Sequence, residues 1–172
     1  QLLGEVMTTR QDMIRLQRLA ESASARSTDA TRHKCFVSYH VDDMVEVEAF
    51  ITSFGSEFIP RSVGVTIDDD FVDSEDDDYI KRRIREDYLT DSTVTILLLG
   101  KCTWARRFVD WEISSSLRND VNNKRNGLLV YPLPSMNNSA RLPTRVKDNW
   151  VEGDASGSYA RYLSYPLTKA SL

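Results

Sequence analysis

Apolar positions along this chain follow two rhythms. Short, nearly continuous apolar runs lie at 35–39, 94–99 and 128–131, and between them apolar residues recur every three or four positions. The first run, Lys34 to Tyr39, is β-prone and leads into His40-Val41-Asp42-Asp43, where Asp42 or Asp43 is expected to cap a helix. Met44, Val47, Phe50, Ile51 and Phe54 give that helix a buried face, and Gly55 ends it. Val63, Val65 and Ile67 alternate as a second strand. Ile80, Ile84 and Tyr88 then form the buried row of a second helix. Ser74 is its expected cap, with Asp77 three residues on, and Lys81, Arg82, Arg83 and Arg85 face solvent.

Val94 to Leu99 is apolar on both faces, which suits a central parallel strand covered by helices above and below. A helix over 104–117 follows, then a polar turn and the strand Leu128 to Tyr131, closed by Pro132 and Pro134. From Ser135 the chain reads as loop, with 149–151 touching the core and 159–166 as the last ordered piece. Ahead of all this, Leu2, Val6, Met13, Leu16, Ala20 and Ala23 space out a helix over 2–23, and the small polar run 22–30 reads as a linker. That helix either packs back on the domain or serves self-association or partner docking. The expected organisation is an N-terminal helix and linker at 1–30 and an α/β domain at 31–172, with a flavodoxin-like parallel sheet and helices on both faces.

Composition narrows the function. A net charge of −4 supplies no basic field for nucleic acid. No apolar run approaches the ~20 residues that cross a bilayer. The start, Gln1-Leu2-Leu3, lacks the basic flank and apolar core of a signal peptide, and the missing Met fits a fragment or a processed start. Cys35, Cys102, His33 and His40 have no metal-ligand spacing, so no metal is expected, and the composition fits a reduced, cytoplasmic protein. Eight acids crowd 68–78, but this run lacks the glycine and terminal Glu of a calcium hand. Helix capping and the positive helix end account for it.

The candidate chemistry centres on 103–117. Read as a helix, Val109, Ile113 and Leu117 make one apolar row, and Trp104, Phe108, Glu112 and Ser116 make the row beside it. Glu112 therefore lies in line with two large aromatics rather than on the solvent face. It is either a boundary carboxylate bonded to a neighbouring loop or a catalytic acid. In a flavodoxin-like order the first strand lies beside the third, and a crevice opens at their carboxyl ends. Those ends carry Ser38-Tyr39-His40 and Thr103-Trp104. A helix beginning at Trp104 would put Glu112 about 12 Å from that mouth, at 1.5 Å per residue. A site reading needs the helix to begin near Phe108 or the pocket to be deep.

Phe36-Val37-Ser38-Tyr39 resembles the first box of Toll/interleukin-1 receptor (TIR) domains. The wider pattern is FVSYH-x-DD, then the run from Ser74 to Arg85, then Asp91 to Thr95, Val109-Asp110-Trp111-Glu112-Ile113 and Asn126-Gly127-Leu128-Leu129. It is similar to the bacterial TIR-like family that includes the TIR proteins of the Thoeris antiphage system, over about 33–166. The resemblance implies a flavodoxin-like fold and NAD⁺ cleavage, with NAD⁺ as substrate rather than cofactor, and a cyclic ADP-ribose-type signal for a partner effector. It maps the family's catalytic glutamate onto Glu112, and Phe36, Ser38, Tyr39 and His40 onto the nucleotide side. Thr103, Trp104 and Phe108 complete the expected substrate-binding set. The animal-type second and third boxes are absent, which argues against receptor-style adaptor docking. Two other readings stay open: a non-catalytic TIR-like interaction module, and a nucleoside-processing transferase of related fold that also uses one Glu.

Overall fold

A computed structural model describes residues 10–64, 74–121, 124–137, 139–154 and 156–172. Among them, five strands form one parallel sheet in the order β2-β1-β3-β4-β5: β1 Lys34–Ser38, β2 Ile59–Val63, β3 Val94–Leu99, β4 Gly127–Pro132 and β5 Ala160–Tyr162. The helices are α1 Arg10–Ser24, α2 Met44–Phe54, α3 Asp77–Ile84, α4 Arg107–Leu117 and α5 Thr144–Asp148. The first strand lies beside the third, as the flavodoxin-like order requires, with Ser38 opposite Leu97. Val65 and Ile67 of the expected second strand, positions 2–9 of the expected first helix, and Asp68, Asp69, Asp70 and Asp73 of the acidic run lie outside the described residues.

Alternation along β1 divides the core. Cys35, Val37 and Tyr39 join Val47, Phe50, Ile51 and Phe54 of α2 and Leu16, Ala20 and Ala23 of α1 on one face. Phe36 turns to the opposite face and packs with Ile80, Ile84, Leu89 and Trp111. Val109 and Ile113 of α4 cover Leu97, Leu99, Leu128 and Val130 on that face, in line with the apolar row read from the sequence.

The run 22–30 is not a slack linker. Ser24 Oγ donates to the Phe58 carbonyl at 2.9 Å. Arg32 binds the carbonyls of Asp29 at 2.7 Å, Ser56 at 2.7 Å and Ser24 at 3.0 Å, lashing the end of α1 to the domain. Gly55 is needed for close approach rather than for a left-handed turn: its φ is −61°, and a Cβ there would lie 2.6 Å from Ala23 Cβ. The cap expectations also change. Asp76, not Ser74, caps α3, accepting from the amides of Asp78 and Tyr79 at 3.0 and 3.1 Å. Neither Asp42 nor Asp43 caps α2 through its side chain. His40 instead caps a 3₁₀ turn at Val41–Asp43. Helix α5 was expected to be loop, because five residues are too few to show a helical period.

Both cysteines are free thiols, Cys35 buried and Cys102 exposed. Burial pushes the Cys35 thiol up to about 12. Native protein at pH 8 is therefore expected to take up one maleimide, at Cys102, and a second only in denaturant, read by mass spectrometry. Rapid native labelling of Cys35 would contradict this packing. Unfolded thiols ionise near 8.5, so between there and about 12 unfolding releases a proton and stability falls as pH rises.

Candidate active site

Helix α4 begins at Arg107, after a 3₁₀ turn at Thr103–Ala105. This late start resolves the distance problem, since Glu112 sits little more than one turn into the helix. It also takes Trp104 out of the helical row expected from the sequence. Glu112 is 3% exposed, and its carboxylate accepts a hydrogen bond from the Ser38 hydroxyl at the carboxyl end of β1. A buried carboxylate is tolerated only when such partners replace water. The same β1 alternation that seats Phe36 in the α3–α4 core directs Ser38 to Glu112.

Behind Glu112 runs a chain of polar groups. Ser116 Oγ donates to the Glu112 carbonyl at 2.8 Å and also lies 2.7 Å from Thr95 Oγ1. With its proton committed to that carbonyl, Ser116 is the acceptor from Thr95. Asn126 Nδ2 donates to Thr95 Oγ1 at 3.2 Å and to Ser92 Oγ at 2.8 Å. The chain anchors one turn of α4 to β3, and thereby the backbone that carries Glu112.

The turns at the carboxyl ends of β1 and β3 are laced together. Thr103 Oγ1 accepts from the Gly100 amide at 2.8 Å and donates to Asp43 Oδ2 at 3.1 Å. A Cβ on Gly100 would fall 2.0 Å from Asp43 Oδ1, so only glycine admits this approach. Arg106 and His40 both lie close to Asp42, at 3.7 and 3.4 Å. Burial raises the Asp43 carboxyl above its usual range, and the Thr103 hydrogen bond partly offsets this. A raised folded pKa means the protonated form is favoured in the fold: that stabilisation is full below the usual carboxyl range and is lost as pH rises through the folded pKa. Asp43→Asn keeps an acceptor for Thr103 and is expected to leave the melting temperature unchanged or higher at pH 7. A clear fall would show that the charge itself is required.

The expected site residues thus separate. Ser38 and Glu112 meet, and Phe36 and Phe108 share their side of the sheet. Phe108 stands edge-on to Trp111 with ring centroids 5.2 Å apart. Thr103 is buried and braces the turn that leads into α4. Tyr39 belongs to the opposite core, beside Phe50 and Val63. His40 is a partly buried cap of the following turn, its Nδ1 accepting from the Asp42 amide at 3.3 Å. Trp104 is 37% exposed, with the Arg141 guanidinium 3.5 Å from its ring centroid. Trp111 stands in the family pattern but not among the expected site residues. It is 4% exposed, and Arg107 lies over its ring at 4.6 Å while bonding Asp77 of α3 at 2.7 Å. Its place one residue before Glu112 was the available signal. Among the described residues no group of three or more His, Cys, Asp or Glu is placed to hold a metal ion, and no helix is long and apolar enough to cross a membrane.

A family model described as Thoeris protein ThsB, TIR-like domain, matches residues 36–138, from β1 to just past β4. No curated protein matches the chain.

Proposed function

The chain belongs to the TIR-like domain family of the Thoeris antiphage-defence protein ThsB, and from that premise we propose that it cleaves NAD⁺, releasing nicotinamide through Glu112. The observation that carries this reading is the buried Glu112 carboxylate fixed by the Ser38 hydroxyl at the carboxyl end of β1. This is the end of a parallel sheet where ligands bind, beside the switch between β1 and β3.

One carboxylate suffices for this bond. Cleaving an ordinary glycoside takes two carboxyl groups, because the leaving oxygen must be protonated. Nicotinamide leaves NAD⁺ as a neutral base and needs no proton. The barrier lies in the oxocarbenium-like ribose, and a fixed carboxylate in a water-poor site stabilises that charge. The Ser38 hydroxyl holds the carboxylate in one orientation, so little reorganisation is needed as charge develops. Phe36, Phe108 and Trp111 pack together on this side of the sheet, so the surroundings of the pair are apolar. The C1′–N bond breaks with its electron pair going to nicotinamide. Water then attacks C1′ and releases a proton to solvent to give ADP-ribose, or the adenine end of the same molecule attacks, likewise with loss of one proton, to give a cyclic product. The cyclic product is the one suited to act as a diffusible signal to an effector. Self-association through the N-terminal helix or the domain is a further part of this reading.

Chromatography of NAD⁺ incubated with the wild type and with Glu112→Gln tests the proposal. Nicotinamide and an ADP-ribose-type product are expected from the first alone, and equal release from both would remove Glu112 from the chemistry.

A further inference from the structure

Arg85 occupies a place its sequence neighbours do not predict. It follows Lys81, Arg82 and Arg83 and was expected beside them in solvent, yet only 7% of it is exposed. It begins the π-helical turn Arg85–Leu89 that extends α3. The wider spacing of that turn shifts the chain off the α-helical period. Ile84 and Arg85 are consequently buried side by side. A guanidinium does not lose its proton in a protein, so its charge must be met where it stands. No ion pair among the described residues includes it. Burial, and then the neighbouring charge of Arg118, make its protonated form less favourable than usual, with Asp120 and Glu86 offsetting only part of this.

Arg85 lines a cavity of about 250 Å³ at the end of the sheet remote from the Ser38–Glu112 pair, together with Ser92, Ser115, Ser116, Lys124 and Asn126. It also borders a second cavity of about 290 Å³, shared with Arg82 and Arg118 and with the carboxylates of Asp76 and Asp78, which leaves the first cavity alone as the candidate for an anion. The donors of the first cavity can be assigned. Ser92 Oγ donates to the Leu89 carbonyl at 2.6 Å, Ser115 Oγ to the Lys81 carbonyl at 3.0 Å and Ser116 Oγ to the Glu112 carbonyl at 2.8 Å. Asn126 Nδ2 is committed to Ser92 and Thr95. The hydroxyl protons are therefore in use, and the cavity's strong donors are the cations Arg85 and Lys124. The lining carboxylate, Asp91, is neutralised by Lys34 and Arg61, each at 2.7 Å. The Ser116 carbonyl near the end of α4 is taken by the Asn126 amide at 2.8 Å, so it does not serve Arg85.

We infer that this cavity is a binding site for a phosphate-class oxyanion, anchored by Arg85 and closed on the solvent side by Lys124. A guanidinium fork matches two oxygens of such a group. Two cations in one cavity suit a ligand near two negative charges, as a phosphate carries, better than a monocarboxylate. A volume of about 250 Å³ has room for a phosphate with several waters. The occupant is either inorganic phosphate or the phosphoryl end of a nucleotide whose remainder lies outside. This site is separate from the NAD⁺ reading of Glu112 and does not depend on it.

Thermal melting and calorimetry of the whole chain, titrated with inorganic phosphate or with ADP against chloride at matched ionic strength, test the inference. At least one of the two anions is expected to bind saturably and raise the melting temperature beyond the chloride control. Saturation by phosphate identifies the free anion, and saturation by ADP alone identifies the nucleotide phosphoryl. Arg85→Met is expected to weaken that binding at least about tenfold, as the loss of charge-assisted hydrogen bonds implies. Lys124→Ala, at an exposed position, is expected to weaken it several-fold and decides the matter if Arg85→Met does not fold. No saturable effect of either anion, or wild-type affinity in the folded variants, overturns the site.

Discussion

Glu112→Gln is expected to reduce nicotinamide release from NAD⁺ by about 10²- to 10³-fold, the loss seen when one preorganised electrostatic stabiliser is removed, or ~3 to 4 kcal/mol of barrier. Gln has nearly the shape of Glu, and its amide oxygen still accepts from Ser38, so the local packing is kept. What disappears is the negative charge that the proposed mechanism sets against the ribose. The melting temperature should therefore change little while turnover collapses, and parallel calorimetry separates the two. The non-catalytic interaction module predicts that Glu112→Gln is harmless. The nucleoside-processing reading predicts loss of base release from nucleosides, with NAD⁺ untouched in both proteins. Running NAD⁺ and adenosine side by side distinguishes all three.

Phe50→Ala is expected to destabilise the fold by about 3 to 5 kcal/mol, the range for emptying a buried aromatic site. Phe50 is fully buried, and its ring lies 5.3 Å from Phe54, 6.1 Å from Tyr131 and 6.1 Å from Tyr165. It joins α2 to the sheet and to the C-terminal segment, so several elements line the void and cannot all collapse into it. A domain of this size retains only about 5 to 15 kcal/mol in total. The melting temperature should fall by roughly 6 to 20 °C, at ~2 to 4 °C per kcal/mol. Phe50→Leu fills much of the space and should recover more than half of that loss. A shift below about 3 °C for Phe50→Ala would mean that α2 is not packed as described.

The two predictions draw on information of different kinds. The apolar face of α2 was legible in the sequence, because burial against a sheet imposes a three-to-four-residue period. The unbroken apolar run Val94–Leu99 likewise announced a strand covered on both faces, and β3 lies at the centre of the sheet. From such local periods follows the α/β alternation, whereas the family pattern around Phe36 and Glu112 is a likeness of particular residues, not of periods. Capping was less legible. Asp76 and Ser74 both offer a suitable side chain, and only the path of the backbone selects between them.

The arrangement of the candidate site is a tertiary result. Glu112 and Ser38 are 74 positions apart, and their contact requires β1 and α4 to be set at a particular height and rotation. The late start of α4 fixes that height, and the sequence does not mark it because Thr103, Trp104 and Ala105 suit a helix as well as a 3₁₀ turn. Tyr39 and Ser38 are neighbours in the chain yet serve opposite cores, since a strand sends successive side chains to opposite faces. Arg85 is the sharpest case. A run of basic residues reads as a solvated face, and one π-helical turn buries its last member. Short-range periodicity is written in the order of residues because one element's environment is nearly uniform along each face. The pairing of distant side chains and the fate of a single charge depend on how elements dock, and docking is settled by the packing of the whole core.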